Sequence, residues 1–223
     1  MNHPEALPGL QRLMEVCRSL DLGLRTLPPR SEPSRAGTLI EGLPLDPVLA
    51  AAYARLGHAV FASEAEAGLV LTRCDDTENK VAADNRWWSE GYRKQLAVPT
   101  FIFAGEPMMA YYYATVPSLA DAQGRQPVIK VDAYEEVYAI PVASDVDRFF
   151  DTYSRYLEAL LALAGGREEG ISLLPFPWEV PELIGRDGPL VERLAAGHFD
   201  SLMLPQDARA WARKVLDAGL SRM

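Results

Sequence analysis

Between residues 99 and 161, short runs of β-branched and aromatic residues alternate with turn formers and then give way to one long amphipathic stretch. Such runs predict strands at 100–104, 108–115, 127–132 and 136–141. After them, Val146, Phe149, Phe150, Tyr153, Leu157, Leu160, Leu161 and Ala164 recur at three- and four-residue steps, while Asp147, Arg148, Asp151, Ser154, Arg155 and Glu158 fill the opposite side. That period predicts a helix with one buried face. Ser144 is its expected N-cap, Asp145 and Asp147 suit the positive end of the helix dipole, and Gly165-Gly166 offers a stop.

The flanks are patterned more weakly. A first helix is expected over 4–20, with Leu7, Leu10, Met14, Cys17 and Leu20 on one face. Residues 25–37, rich in Pro, Ser and Arg, read as an extended connector with little regular structure. Asp46 and Pro47 form an N-cap and first-turn pair for a short helix carrying Val48, Leu49, Ala52, Tyr53 and Leu56, and a strand follows at 69–72. Loops with one short helix are expected between 74 and 98. Beyond Gly165 the chain turns to Pro, Gly and charge, with helical patterns near 189–196 and 206–216 whose apolar residues are expected to pack back on the core.

The fold class that follows is α+β: a mostly antiparallel central sheet flanked by helices, with a helical C-terminal extension. Its parts are an N-terminal helix and connector (1–38), an α+β core (39–164) and the extension (165–223). The chain of 223 residues is 48% hydrophobic, enough to build a substantial core. No stretch reaches the roughly 18–20 apolar residues of a spanning helix, and Glu5 stands where a leader would be basic and then apolar. A cytoplasmic location without membrane association is therefore expected. Two cysteines, Cys17 and Cys74, make neither a disulfide framework nor a metal-ligand spacing, and they are expected reduced and half-buried.

Charge narrows the partner class. The net charge of −9 argues against nucleic-acid binding, which needs clustered Lys and Arg. Residues 99–163 hold four basic side chains against nine carboxylates, so more than half of the excess lies in the core region. Such a field suits a basic protein partner, although an acidic surface also serves solubility alone.

Motifs for catalysis are missing from the sequence. His3, His58 and His198 have no neighbouring ligand or acid at motif spacing, and no nucleophile elbow, phosphate loop or dinucleotide glycine pattern occurs. Asp75, Asp76, Glu78 and Asn79 offer oxygen ligands but lack the spacing and central glycine of a calcium loop, so they read as a solvated acidic turn. No catalytic residue, metal or cofactor is assigned. For partner contact, Trp87-Trp88 in a polar setting is the better surface aromatic, since Tyr111, Tyr112 and Tyr113 alternate in a strand and at least one side of it belongs to the core. The candidate contact set is Asp75, Asp76, Glu78, Trp87, Trp88, Asp132, Glu135 and Glu136.

Taken in order, several of these segments resemble the SUKH superfamily. They are the Leu43-Pro44 pair leading into a short helix with Tyr53, the strand at Leu69, the Phe101-Ile102-Phe103-Ala104 strand, the Pro127-Val128 strand, and Ala143-Ser144 before a helix bearing Phe149-Phe150. The likeness covers roughly 39–164; it departs around Met108, where a second turn glycine is missing, in the enlarged 74–98 stretch, and after Gly165. Bacterial members are typically immunity proteins that bind and neutralise a toxin. The resemblance thus implies a non-catalytic inhibitor whose partner is a cognate toxin with a basic surface. The alternatives are a regulatory scaffold module of the same fold, or a small hydrolase assembled from distant residues.

Overall fold

The computed structural model describes residues 6–65, 67–74, 80–92, 95–134, 137–163 and 175–221. Seven strands form one antiparallel sheet in the order β1 (Leu24–Leu27), β4 (His58–Phe61), β5 (Leu69–Leu71), β6 (Phe101–Gly105), β7 (Tyr111–Thr115), β8 (Val128–Asp132) and β9 (Tyr138–Ala143). A separate two-stranded ribbon, β2 (Leu39–Ile40) with β3 (Leu43–Pro44), precedes α2 (Pro47–Tyr53). The α+β class read from the sequence is the class of the fold, and strands β6–β9 fall within a few residues of their expected places.

The connector expectation is corrected at one point. Leu24–Leu27 forms β1 and pairs with β4, Arg25 lying opposite Val60. Three of its four residues are exposed, so the strand lacks the alternating burial by which half-buried strands are recognised.

Helix α4 (Val146–Leu163) lays Phe149, Phe150, Tyr153 and Leu157 on the sheet. Phe149 meets Phe103 edge-on at 5.8 Å and Tyr113 at 4.7 Å, and Phe150 meets Phe61 at 6.1 Å. The capping residue is Asp145, not Ser144: its Oδ1 accepts the Arg148 N–H at 2.8 Å. The backbone N–H of Ser144 goes instead to Asp187, 2.6 Å away. The expected stop at Gly165-Gly166 lies outside the described residues.

Helix α1 (Pro8–Ser19) begins later than expected and has no cap of its own. Asp147 of α4 supplies one, accepting the N–H groups of Gly9 at 2.9 Å and Leu10 at 3.0 Å. That bond requires the helices to touch. A side chain at Gly9 would place its Cβ 2.0 Å from the Asp147 carbonyl oxygen and 2.9 Å from the Asp151 nitrogen, both backbone atoms that cannot step aside. Gly9→Ala is therefore expected to destabilise the fold by about 1–3 kcal/mol, as overpacking does. A urea melt checks this; an unchanged midpoint would mean that α1 is not pressed on α4.

Helix α2 follows the sequence reading, with Asp46 accepting the Leu49 N–H at 2.8 Å and Pro47 in the first turn. Helix α3 (Lys80–Gly91) is one of three turns, in a stretch where loops predominated in expectation. Asn85 anchors it to the sheet, donating to the Ile102 carbonyl and accepting the Ile102 N–H. At the C-terminus lie α5 (Pro181–Ile184), α6 (Gly188–Ala195) and α7 (Gln206–Leu220). Leu190, Val191, Leu194, Trp211 and Val215 are buried in the same core cluster as the sheet. Neither cysteine is in a disulfide and both are fully buried, deeper than expected, and burial pushes the Cys17 thiol up.

Candidate functional site

The β6–β7 hairpin organises the most unusual side chains of the molecule. Its turn is held by the Glu106 N–H on the Tyr111 carbonyl and the Met109 N–H on the Glu106 carbonyl, and it carries Met108 at φ 63° with a fully exposed side chain. Alternation along β7 then sends Tyr113 inward against Phe149, while Tyr112 faces Trp87 and Trp88 on the other side of the sheet.

On the inner face, Tyr113 lies opposite Lys130 of β8. The Tyr113 hydroxyl donates to Glu106 Oε1 at 2.7 Å, and Lys130 Nζ stands 2.8 Å from the same oxygen. Lys130 also donates to the Phe176 carbonyl at 2.8 Å and sits 4.0 Å over the Tyr111 ring. Burial lowers the Lys130 ammonium from its usual range against the pull of Glu106, and burial likewise holds the Tyr113 phenol well above its own. This enclosed ion pair clamps the hairpin turn to β8 and to the start of the C-terminal segment.

Outside the clamp runs a strip of apolar and aromatic side chains. Tyr134, 54% exposed, packs edge-on against Tyr111 at 5.3 Å, and its hydroxyl donates to Met109 Sδ. On the other face of the sheet, Trp87 is 46% exposed and lies 5.9 Å from Tyr112 and 5.0 Å from Tyr92. The strip therefore draws on three elements and both faces of β7: Met108 and Met109 come from the hairpin turn, Tyr134 from just beyond β8, and Trp87 from α3 on the opposite face.

The candidate contact residues divide accordingly. Trp87 stands at the surface as expected. Trp88 does not: it is 1% exposed, stacks on Tyr92 at 5.1 Å and donates its Nε1 hydrogen to Thr100 Oγ1. Adjacent residues of a helix point about 100° apart, so the doublet cannot share one face. Asp132 is half-buried and occupied internally, accepting from the Tyr134 N–H and the Tyr138 hydroxyl at 3.0 Å each. Asp75, Asp76, Glu78, Glu135 and Glu136 lie outside the described residues.

Two clefts flank these elements. The larger, about 520 Å³, is lined by residues from the N-terminal ends of α1 and α4, which themselves touch. Its charges are largely matched within the fold, since Asp147 caps α1, Asp145 caps α4, and Asp151 holds Arg155. The smaller, about 120 Å³, opens beside the strip and is lined by Thr72, Asp84, Ile102, Gly105 and Tyr112. Asp84 accepts the Thr72 hydroxyl, and burial pushes its carboxyl up against the counter-pull of Lys80.

Among the described residues, no group of three His, Cys, Asp or Glu side chains is placed to hold a metal ion, and no helix is long and apolar enough to cross a membrane. His58 is tied into the sheet, its Nδ1 2.8 Å from the Leu71 carbonyl oxygen. Comparison with protein-family models, curated proteins and solved structures gave no match. The residues missed by sequence reasoning are Glu106, Lys130, Met108, Met109, Tyr134 and Asp84. One signal for them existed: Lys130 interrupts the apolar run Val128-Ile129-Val131, and a charge in such a run faces the core unless that side of the sheet is open.

Proposed function

We propose that this chain is a non-catalytic protein-binding module of SUKH type, and specifically an immunity protein that binds and neutralises a cognate toxin with a basic surface. The observation that carries the reading is the pair of exposed methionines, Met108 and Met109, on a hairpin turn held from beneath by a buried ion pair, with Tyr134 after β8 and Trp87 on α3 exposed on the two faces of β7. Flat aromatic and methionine side chains contribute much of the energy at protein interfaces, and a rigid support spares them the entropy of ordering on binding. The net charge of −9 adds long-range attraction for a basic partner.

The test is co-expression with the products of adjacent genes, followed by tagged capture in a low-salt wash and a growth assay. Salt-sensitive capture of one basic, toxic neighbour with rescue of growth is the expected result. Trp87→Ala combined with Met108→Ala should then weaken the complex at least about tenfold, as loss of a hot spot does; Met108→Ala alone should leave the melting temperature unchanged, whereas Trp87→Ala should lower it modestly because its ring packs on Tyr92 and Tyr112. Capture of several housekeeping proteins without rescue would replace the toxin by cellular partners and make the chain a scaffold.

A further inference from the structure

The smaller cleft has the shape and chemistry of a receptor for one cationic side chain. Its roughly 120 Å³ is room enough for a planar guanidinium, whose four bonded heavy atoms take up less space than four separate waters. Ile102 and Gly105 line it together with Tyr112, whose ring is backed by Trp87 at 5.9 Å. Asp84 supplies a half-buried carboxylate, and the Thr72 hydroxyl takes only part of its accepting capacity. Glu106 also borders the cleft, but its Oε1 is committed to Lys130 and Tyr113 and adds little.

We propose that this cleft receives a single arginine side chain of the protein partner, its guanidinium paired with Asp84 and stacked on Tyr112. The proposal rests on the preceding reading that a basic protein is bound. Arginine fits better than lysine because its planar fork can pair with a carboxylate through two N–H groups while its face lies on an aromatic ring. The methylene stem would leave the cleft past the exposed Trp87, so that ring and the cleft would form one recognition surface. Lys80, exposed and one turn before Asp84 on α3, is the built-in competitor for that carboxylate.

The experiment is an NMR titration of the ¹⁵N-labelled full chain with N-acetyl-arginine amide, against N-acetyl-lysine amide and the uncharged, nearly isosteric N-acetyl-citrulline amide. Saturable shifts are expected at Thr72, Asp84, Gly105 and Tyr112, with a dissociation constant on the order of millimolar. Lysine amide should bind about threefold or more weaker and citrulline amide at least about tenfold weaker. Asp84→Asn, which keeps an acceptor for Thr72, should remove the shifts. Lys80→Gln, at an exposed position, should strengthen arginine binding about two- to threefold, the scale of one screened surface charge.

Equal shifts with citrulline amide, shifts centred elsewhere, or binding indifferent to both substitutions would overturn the proposal. The titration contains no toxin, so the two readings fail separately. Arginine binding in the cleft without any toxin capture would retain the cleft and remove the immunity assignment. Toxin capture undiminished by Asp84→Asn would do the reverse.

Discussion

Glu106→Gln is expected to lower the unfolding free energy by about 3–5 kcal/mol, the usual cost of removing one partner from an enclosed ion pair. The ammonium left behind belongs to Lys130, whose side chain is 7% exposed. Its remaining neighbours, the Phe176 carbonyl and the Tyr111 ring, offer dipoles, and a second carboxylate that acts on it, Asp132, pulls more weakly than Glu106. Glutamine can still accept the Tyr113 hydroxyl, so the loss isolates the charge rather than the hydrogen bond. Because Glu106 itself is 19% exposed, water can reach part of the gap and the value should fall toward the lower end. Adding Lys130→Met should restore about half or more of the loss, since it removes the stranded charge. Urea melts of both single variants and the double variant test this. A loss below about 1 kcal/mol in Glu106→Gln would mean that the pair is screened like a surface contact.

The second large effect concerns acidity. Asp46 is fully buried and accepts two backbone N–H groups, from Leu49 at 2.8 Å and Gln126 at 2.7 Å. Burial pushes its carboxyl from the ordinary 3.8 up to about 6, outweighing those donors, and the neighbouring Asp145 adds to the rise. With the folded value above the unfolded one, the folded chain holds an extra proton between them. The contribution of Asp46 to stability is thus complete below about pH 3.8 and is lost as pH rises through about 6. The separation between about 6 and 3.8, at roughly 1.4 kcal/mol per pH unit, makes this share about 3 kcal/mol.

Burial raises Asp84, Asp147 and Asp187 in the same direction. The melting temperature should therefore increase on going from pH 7.5 to pH 5. Asp46→Asn should flatten that slope, at a cost of about 1–3 kcal/mol because its amide nitrogen would face the Gln126 N–H. A melting temperature that instead falls between pH 7.5 and 5, with the same slope in the variant, would show that Asp46 does not titrate in this window.

What could be read in advance was what repeats along the chain. Phe149, Phe150, Tyr153 and Leu157 mark α4 because one helical face is buried along its length, and Asp46-Pro47 marks α2 because a cap acts within three residues. What escaped depends on pairs far apart in sequence. Asp147 caps a helix 137–138 residues away, and the clamp exists because register sets Lys130 opposite Tyr113. On α3, the inward Asn85 and outward Trp87 invert the usual relation between polarity and burial, so the polar setting of the Trp87-Trp88 pair does not reveal that Trp88 is in the core. The proposed contact surface is legible in residue type at Trp87 alone, since exposure at Met108 and Tyr134 is decided by turns that carry no periodic signal.

The two outer strands also limit how another chain can attach. β1 is only four residues long, exposes Arg25 and Thr26, and runs directly into Pro28-Pro29. At the other margin, Pro141 withdraws one N–H from β9, and the N–H of Ser144 just beyond that strand is taken by Asp187. Short length, charge and proline are the devices by which sheet edges are closed to strand addition. Copies of this protein accordingly have little open ladder on which to polymerise, and crowding should leave the folded chain free of edge-to-edge aggregation.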